Sequence, residues 1–239
     1  MCSRYSLTSP VEAVRAYFRP LRDHPFPPRY NIAPTQPVSI IRMGADNNRE
    51  LVLVRWGLIP GWVKEPGDFA TVLNARAETA LEKPSFKAAM RHRRCLVPAD
   101  AFYEWTGPAG AKRPHMISRA AAPGLLAFAG LWEHWMGKDG SEIETMAILT
   151  VPANTTIAAI HDRMPAILPE AAFGAWLDIK NVRDLEAATH LLPAPPDLLK
   201  IDELSPAINS SRVEGAHLQQ VVAKTLVPGP ASPVQGTFL

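Results

Sequence analysis

The second residue carries the most distinctive chemistry in this 239-residue chain. Cys2 directly follows Met1, so removal of Met1 exposes an α-amine and a thiol on adjacent carbons. At pH 7 an α-amine of pKa about 7.7 is neutral in roughly one molecule in six, whereas a lysine amine is neutral in roughly one in two thousand five hundred. The terminal amine is therefore the better imine former. A neighbouring thiol can then close onto the imine carbon to give a five-membered thiazolidine, helped by the effective molarity of an intramolecular step. The same thiol is also a candidate nucleophile for an N-terminal hydrolase.

Other residues supply partners for such chemistry. Asn74 and Arg76 stand two apart, so an extended backbone would turn an amide and a guanidinium to one side, a pairing suited to an oxyanion or a phosphate. The alternative is a side-chain bond that ties down a turn. Glu104 lies between Tyr103 and Trp105 in an apolar run. A carboxylate there either pairs with a cation or has a raised pKa, and the latter would make it a usable general acid or base; the alternative is a solvent-facing strand residue. His161, in His161-Asp162-Arg163-Met164-Pro165, is a candidate proton shuttle or a structural histidine. Trp62 and Trp105 offer faces on which bases could stack, or they pack internally.

Bulk properties narrow the field. Hydrophobic residues make up 47% and charged residues 20% of the chain, as in a soluble globular protein. The net charge is +2, but the stretch from Lys83 to Arg119 carries eight Lys or Arg against Asp100 and Glu104. That basic centre suits a phosphate-bearing partner or forms a solvated face. Cys2 and Cys95 are the only cysteines, so there is neither a disulfide framework nor a metal-ligand spacing. No metal and no cofactor is expected, and Cys95, in an apolar run, reads as buried and structural. No signal peptide, membrane-length apolar run, phosphate-cradling glycine loop or Gly-x-Ser-x-Gly elbow is present.

Many short apolar runs punctuated by turns must position these groups. Thr8 or Ser9 is expected to cap a helix over 11–18. Strands are expected over 38–43 and 51–56 as a hairpin across Asp46-Asn47-Asn48. Further β segments are expected over 94–105 with a bend at Pro98, and over 115–118, 125–135 and 144–151. Short helices are expected over 85–91, 154–160, 169–177 and 182–192, with 161–165 a loop. The pattern predicts a single α+β domain over residues 1–225, with mostly antiparallel strands in a distorted barrel-like sheet and peripheral helices. Residues 226–239, rich in Pro and Gly, read as a flexible tail.

The segments Met1-Cys2-Ser3-Arg4-Tyr5, Tyr30-Asn31-Ile32-Ala33-Pro34, Trp56-Gly57-Leu58-Ile59-Pro60-Gly61-Trp62, Asn74-Ala75-Arg76-Ala77-Glu78-Thr79, Phe102-Tyr103-Glu104-Trp105 and Ile160-His161-Asp162-Arg163-Met164-Pro165 occur in an order that resembles the SOS-response-associated peptidase family. The resemblance runs from Cys2 to about Leu177, with a weaker echo at Ile208-Asn209. It implies shielding of abasic sites in single-stranded DNA during the DNA-damage response. Cys2 would form a thiazolidine with the ring-opened sugar aldehyde. Asn74 would position the sugar or the cysteine, Glu104 would assist condensation, and His161 would move protons. Arg4 and Arg76 would hold phosphates, while Pro34, Trp62 and Trp105 would pack against bases or sugar.

The resemblance further implies a monomer acting in the cytoplasm on nucleoid DNA, with lyase and peptidase (hydrolase) activities as additional expectations. Two positions depart from the family pattern: Ser3 replaces a glycine beside the nucleophile, and Val63 replaces a second tryptophan found in some members. Two other readings remain open. In one, Cys2 is the nucleophile of an autoproteolytic peptidase, although Met1 alone is a leader that an aminopeptidase can remove. In the other, the chain is a non-covalent single-strand binding module.

Overall fold

The computed structural model describes residues 2–121 and 124–224; the expected tail over 226–239 lies outside the described residues. The described strands are β1 (Tyr5–Leu7), β2 (Arg29–Ile32), β3 (Pro37–Met43), β4 (Arg49–Trp56), β5 (Asn74–Arg76), β6 (Arg94–Ala99), β7 (Ala101–Thr106), β8 (Arg113–Arg119), β9 (Leu126–Met136), β10 (Glu142–Pro152), β11 (Arg163–Pro165), β12 (Leu199–Leu204) and β13 (Val221–Lys224). The α-helices are α1 (Val11–Phe18), α2 (Ala77–Ala80), α3 (Pro84–His92), α4 (Phe173–Leu177) and α5 (Asp184–Ala188).

Strands β4, β3, β6, β9 and β10 close into a five-stranded ring, the barrel-like sheet the sequence predicts. Three hairpin or antiparallel contacts run β4–β3–β6–β9, and β9 pairs with β10 from Met136↔Glu142 to Gly130↔Ile148. The ring closes where β10 meets β4 in parallel at Thr145↔Arg55 and Met146↔Trp56. Gly130 permits a close approach within the ring. A Cβ there would lie 2.8 Å from Cys95 Sγ and 2.9 Å from Val97 Cγ2, so only glycine lets β9 lie flat on β6. Cys95 is fully buried against it.

A second sheet, ordered β13-β12-β8-β7-β1-β2, lies outside the ring. Tyr5 fastens it to the ring: its side chain meets Trp56 edge-on at 5.3 Å and Phe128 at 6.2 Å. Such contacts add to the gain from burying large rings, and they fix β1, immediately after Cys2.

Several expectations need correction. The stretch 94–105 is not one strand bent at Pro98, which pairs in register with Ala127. It breaks at Asp100, where the chain passes from β6 in the ring to β7 in the outer sheet. Thr8 and Ser9 do not cap α1, whose N-terminus has no side-chain cap bond. Their backbone N–H groups instead donate to Asp100 Oδ2 at 2.5 and 2.8 Å, and Ser9 Oγ donates to Oδ1 at 2.5 Å. The carboxylate thus secures the crossover between sheets. Residues 163–165 form a short strand on β10 rather than part of a loop, and the helix expected over 182–192 shrinks to α5.

The basic centre is also partly spent inside the protein. Arg94 is 1% exposed and donates to the carbonyls of Met90, Trp176, Asp178 and Val182. Arg93 pairs with Glu133, and Arg113 with Glu203. Lys83, Lys87, Arg91 and Lys112 remain exposed.

Candidate active site

Cys2 is 0% exposed, a placement that follows from β1. Antiparallel pairing of β1 with β7 sets Tyr5 opposite Phe102, and the Tyr103 N–H donates to the Arg4 carbonyl at 3.0 Å. Residues 2–4 therefore run alongside Glu104. From the other side, Asn74 Nδ2 donates to the Cys2 carbonyl at 2.8 Å. Asn74 is held by β5, whose parallel register on β10 sets Asn74 opposite Ile148, and by the Trp56 Nε1 bond to the Leu73 carbonyl at 3.0 Å. Asn74 Oδ1 is enclosed and has no hydrogen-bond partner among the described residues. It is an acceptor still open to a substrate hydroxyl or an amine N–H.

Alternation along β7 sends Phe102 and Glu104 towards the ring and Tyr103 and Trp105 the other way. The Glu104 side chain is 6% exposed. Burial pushes its carboxyl above the usual range, while the nearby His161 works in the opposite direction. His161 Nε2 lies 4.0 Å from Glu104 Oε2, near enough for electrostatic coupling and too far for a direct hydrogen bond. The Arg163 N–H donates to His161 Nδ1 at 2.9 Å, which in the neutral ring places the proton on Nε2, facing Glu104. Asp162 Oδ1 is also 2.9 Å from Nδ1, a contact that suits the doubly protonated ring. Burial first, and then the Glu104 charge, push the Cys2 thiol well above its ordinary pKa. Burial thus favours the protonated form of the carboxyl beside Cys2 and disfavours the thiolate.

Arg4 and Trp105 stand together on the other face of β7, in a groove that Ser3, next to Cys2, also lines. The Arg4 guanidinium carbon lies 5.5 Å from the centre of the Trp105 ring, a cation–π contact. Arg4 Nη1 donates to Asn31 Oδ1 at 2.5 Å and to the Ile208 carbonyl at 3.3 Å. Together with Ser3, Gly110, Lys112 and Asn209 they line an open groove of about 430 Å³. Ser3 is half-buried at this groove.

Arg76 is exposed at the end of β5, and Ala75 between it and Asn74 is buried, so alternation turns Asn74 and Arg76 to the same side. Pro34 is half-buried in the turn before β3, where Thr35 has a φ of 70°. Trp62 is 60% exposed and meets Phe69 edge-on at 5.7 Å. No ring contact or hydrogen bond joins Pro34 or Trp62 to Cys2 among the described residues. Val63 is buried in a small cluster with Ile59 and Trp135, and its carbonyl accepts from Trp135 Nε1 at 2.6 Å. The substitution at 63 thus faces inward.

The structure brings Cys2, Asn74, Glu104 and His161 together, with Arg4 and Trp105 in a neighbouring groove that Ser3 also lines. Residue-level reading missed Asn31 and Asn209, although both fall within segments singled out for their order along the chain. It also missed the Asp162 contact with His161, which depends on a loop geometry that spacing alone does not reveal.

Comparison with known proteins follows the same lines. A family model for the SOS response associated peptidase (SRAP) matches residues 1–211. The chain is 36% identical over 221 residues to the abasic site processing protein YoaM of Bacillus subtilis, covering 91% of this chain and 97% of that protein. It is 34% identical over 223 residues to the abasic site processing protein HMCES of Rattus norvegicus, covering 77% of this chain and 62% of that longer protein. A crystal structure of a Bacteroides thetaiotaomicron protein superposes with a TM-score of 0.77 at 29% identity, covering 85% of this chain and 92% of the other. With a matching family model over most of its length and relatives this similar, the chain belongs to the SOS response associated peptidase family.

Proposed function

We propose that this protein recognises abasic sites in single-stranded DNA and shields them through a thiazolidine formed by Cys2 once Met1 has been removed. The amine nitrogen of Cys2 attacks the aldehyde carbon of the ring-opened sugar. The carbinolamine, protonated on its oxygen, loses water to give an iminium, the sulfur adds to the same carbon, and the thiol proton returns to the acid that released the water. The net change is aldehyde plus aminothiol to thiazolidine plus water. Asn74 fixes the cysteine backbone during these steps and offers Oδ1 to the sugar. Glu104, poised to be protonated, supplies the acid that lets water leave and then accepts a proton as the thiol adds. His161 exchanges protons with Glu104 and serves ring opening or reversal. Arg4 and Arg76 face phosphates, and Pro34, Trp62 and Trp105 face the neighbouring bases or sugar. An abasic site lacks a base to read, so recognition rests on backbone charge and flanking stacking.

The observation that carries this reading is the buried Cys2, tethered by Asn74 at 2.8 Å beside a carboxyl with a raised pKa. The peptidase reading is weaker on the same ground. A cysteine nucleophile for amide hydrolysis uses a lowered thiol pKa and a neighbouring cation, whereas burial and Glu104 raise this one. An amine-first route does not need a thiolate.

The test uses protein whose N-terminus has been verified as Cys2 by mass spectrometry. Incubation with single-stranded DNA bearing one abasic site should give an adduct that survives denaturing electrophoresis, and Cys2→Ala should abolish it. Reversible binding with no adduct would leave a binding module. Cys2-dependent peptide cleavage with no adduct would leave a peptidase.

A further inference from the structure

The groove that Ser3, Arg4 and Trp105 line is shaped by a segment remote in sequence. Residues 208–213 meet both groups that line its wall. The Ile208 carbonyl accepts from Arg4. The carbonyls of Ser210 and Val213 accept from Asn31 Nδ2 at 2.9 and 2.7 Å, and Asn31 in turn holds Arg4 at 2.5 Å. Between these contacts, Asn209 Oδ1 accepts from Trp105 Nε1 at 2.7 Å. Asn209 Nδ2 donates to the Lys112 carbonyl at 3.3 Å, on the far side of the β7–β8 hairpin loop. An indole has a single N–H donor. Once that donor is anchored, the ring can no longer swing freely about its side-chain torsions, and one of its faces carries Arg4.

We propose that Asn209 is a positioning residue for DNA binding, which holds the Trp105 indole so that it stacks on a base beside the lesion. The inference rests on the reading of the protein as a single-strand DNA binder. Asn209 itself is exposed and contributes no charge. Its effect passes through Trp105, whereas Arg4 keeps its own anchors at Asn31 and Ile208.

The test is reversible binding of fluorescein-labelled oligothymidine without an abasic site, followed by anisotropy across a salt series, so that no covalent step enters. Asn209→Ala should weaken binding about fivefold, a fraction of the value of one base–aromatic stack, and should leave the salt slope unchanged. Arg4→Ala, a phosphate contact, should instead lower the slope by about one. Trp105→Phe keeps a ring and removes the N–H, so Asn209→Ala in that background should have no further effect. Additive losses in the double variant, or full affinity in Asn209→Ala, would overturn the positioning role while leaving DNA binding intact. Failure of the unsubstituted protein to bind oligothymidine would remove the DNA reading itself. Because Asn209 is exposed, Asn209→Ala is expected to match the unsubstituted protein in thermal unfolding, and loss of affinity with a lowered midpoint and an altered slope would also count against the proposal.

Discussion

Asn74 Nδ2 and the Cys2 carbonyl oxygen are joined at 2.8 Å across 72 residues of chain. This bond connects β5, which pairs with β10 of the ring, to the residues that lead into the outer sheet, and it fixes the backbone on which both reacting groups of Cys2 are mounted. Asn74→Ala should slow adduct formation by about tenfold, the upper range for loss of one neutral hydrogen bond, with little change in reversible DNA affinity. Single-turnover kinetics on denaturing gels give the rate. Asn74→Asp should be slower still, since it sets an acceptor against the Cys2 carbonyl.

Glu104→Gln preserves shape and removes the exchangeable acid proton. Adduct formation should fall by about a hundredfold or more, the usual scale for a general acid–base group. The variant also has a stability signature. Burial raises the carboxyl pKa in the folded protein, so folded protein holds the proton more tightly than unfolded chain. The associated stability is complete below the ordinary glutamate range and is lost as pH rises through the folded value. Glu104→Gln should therefore match the unsubstituted protein in acid and unfold at a higher temperature than it at pH 8. Thermal unfolding across pH tests the sign.

The Cys2 thiol is buried and its pKa is raised, as is that of Cys95. Native protein at pH 7.5, a condition of roughly neutral pH at which even a free cysteine is mostly thiol, should react slowly with iodoacetamide at both positions and rapidly once unfolded. Cys2→Ser keeps the amine and loses the sulfur. It should give an adduct only when borohydride reduces the imine. A retained Met1 or an N-terminal tag should disable cross-linking as fully as loss of the sulfur, as read by intact-mass spectrometry of the adduct.

Asp100 accepts from Thr8 and Ser9 where the chain crosses between sheets. Asp100→Ala leaves those donors without their shared anion and should cost about 2 kcal/mol, the scale of hydrogen bonds to a charged group. Urea unfolding should show a lower midpoint with an unchanged slope.

Much of the ring was legible because its strands are long, apolar and joined by turns. The hairpin around Asn47, which takes a φ of 65°, and the strands over 126–136 and 142–152 follow from local pattern. The outer sheet was harder. β1 has only three residues, and β12 and β13 pair with segments whose identity no local window reveals. Asp100 was hidden because its role lies in contacts with Thr8 and Ser9, more than ninety residues earlier. Arg94 looked like surface charge because three of the four carbonyls that receive it, those of Trp176, Asp178 and Val182, lie more than eighty residues downstream. A raised pKa at Glu104 was one of the readings its apolar neighbours allowed, beside a cation pair or a solvent-facing strand position. Its distance to His161 was not foreseeable, since that depends on how β11 docks on β10.

The burial of Cys2 has a consequence for the order of events in the life of the chain. The segments that enclose it include Asn74, Glu104 and His161, and the groove beside it is finished by residues 208–213. An emerging chain that has not reached those residues leaves its N-terminus accessible. The completed fold encloses Cys2. Under the proposed chemistry, removal of Met1 can take place on the growing chain, before the residues that complete the enclosure of Cys2 have been made.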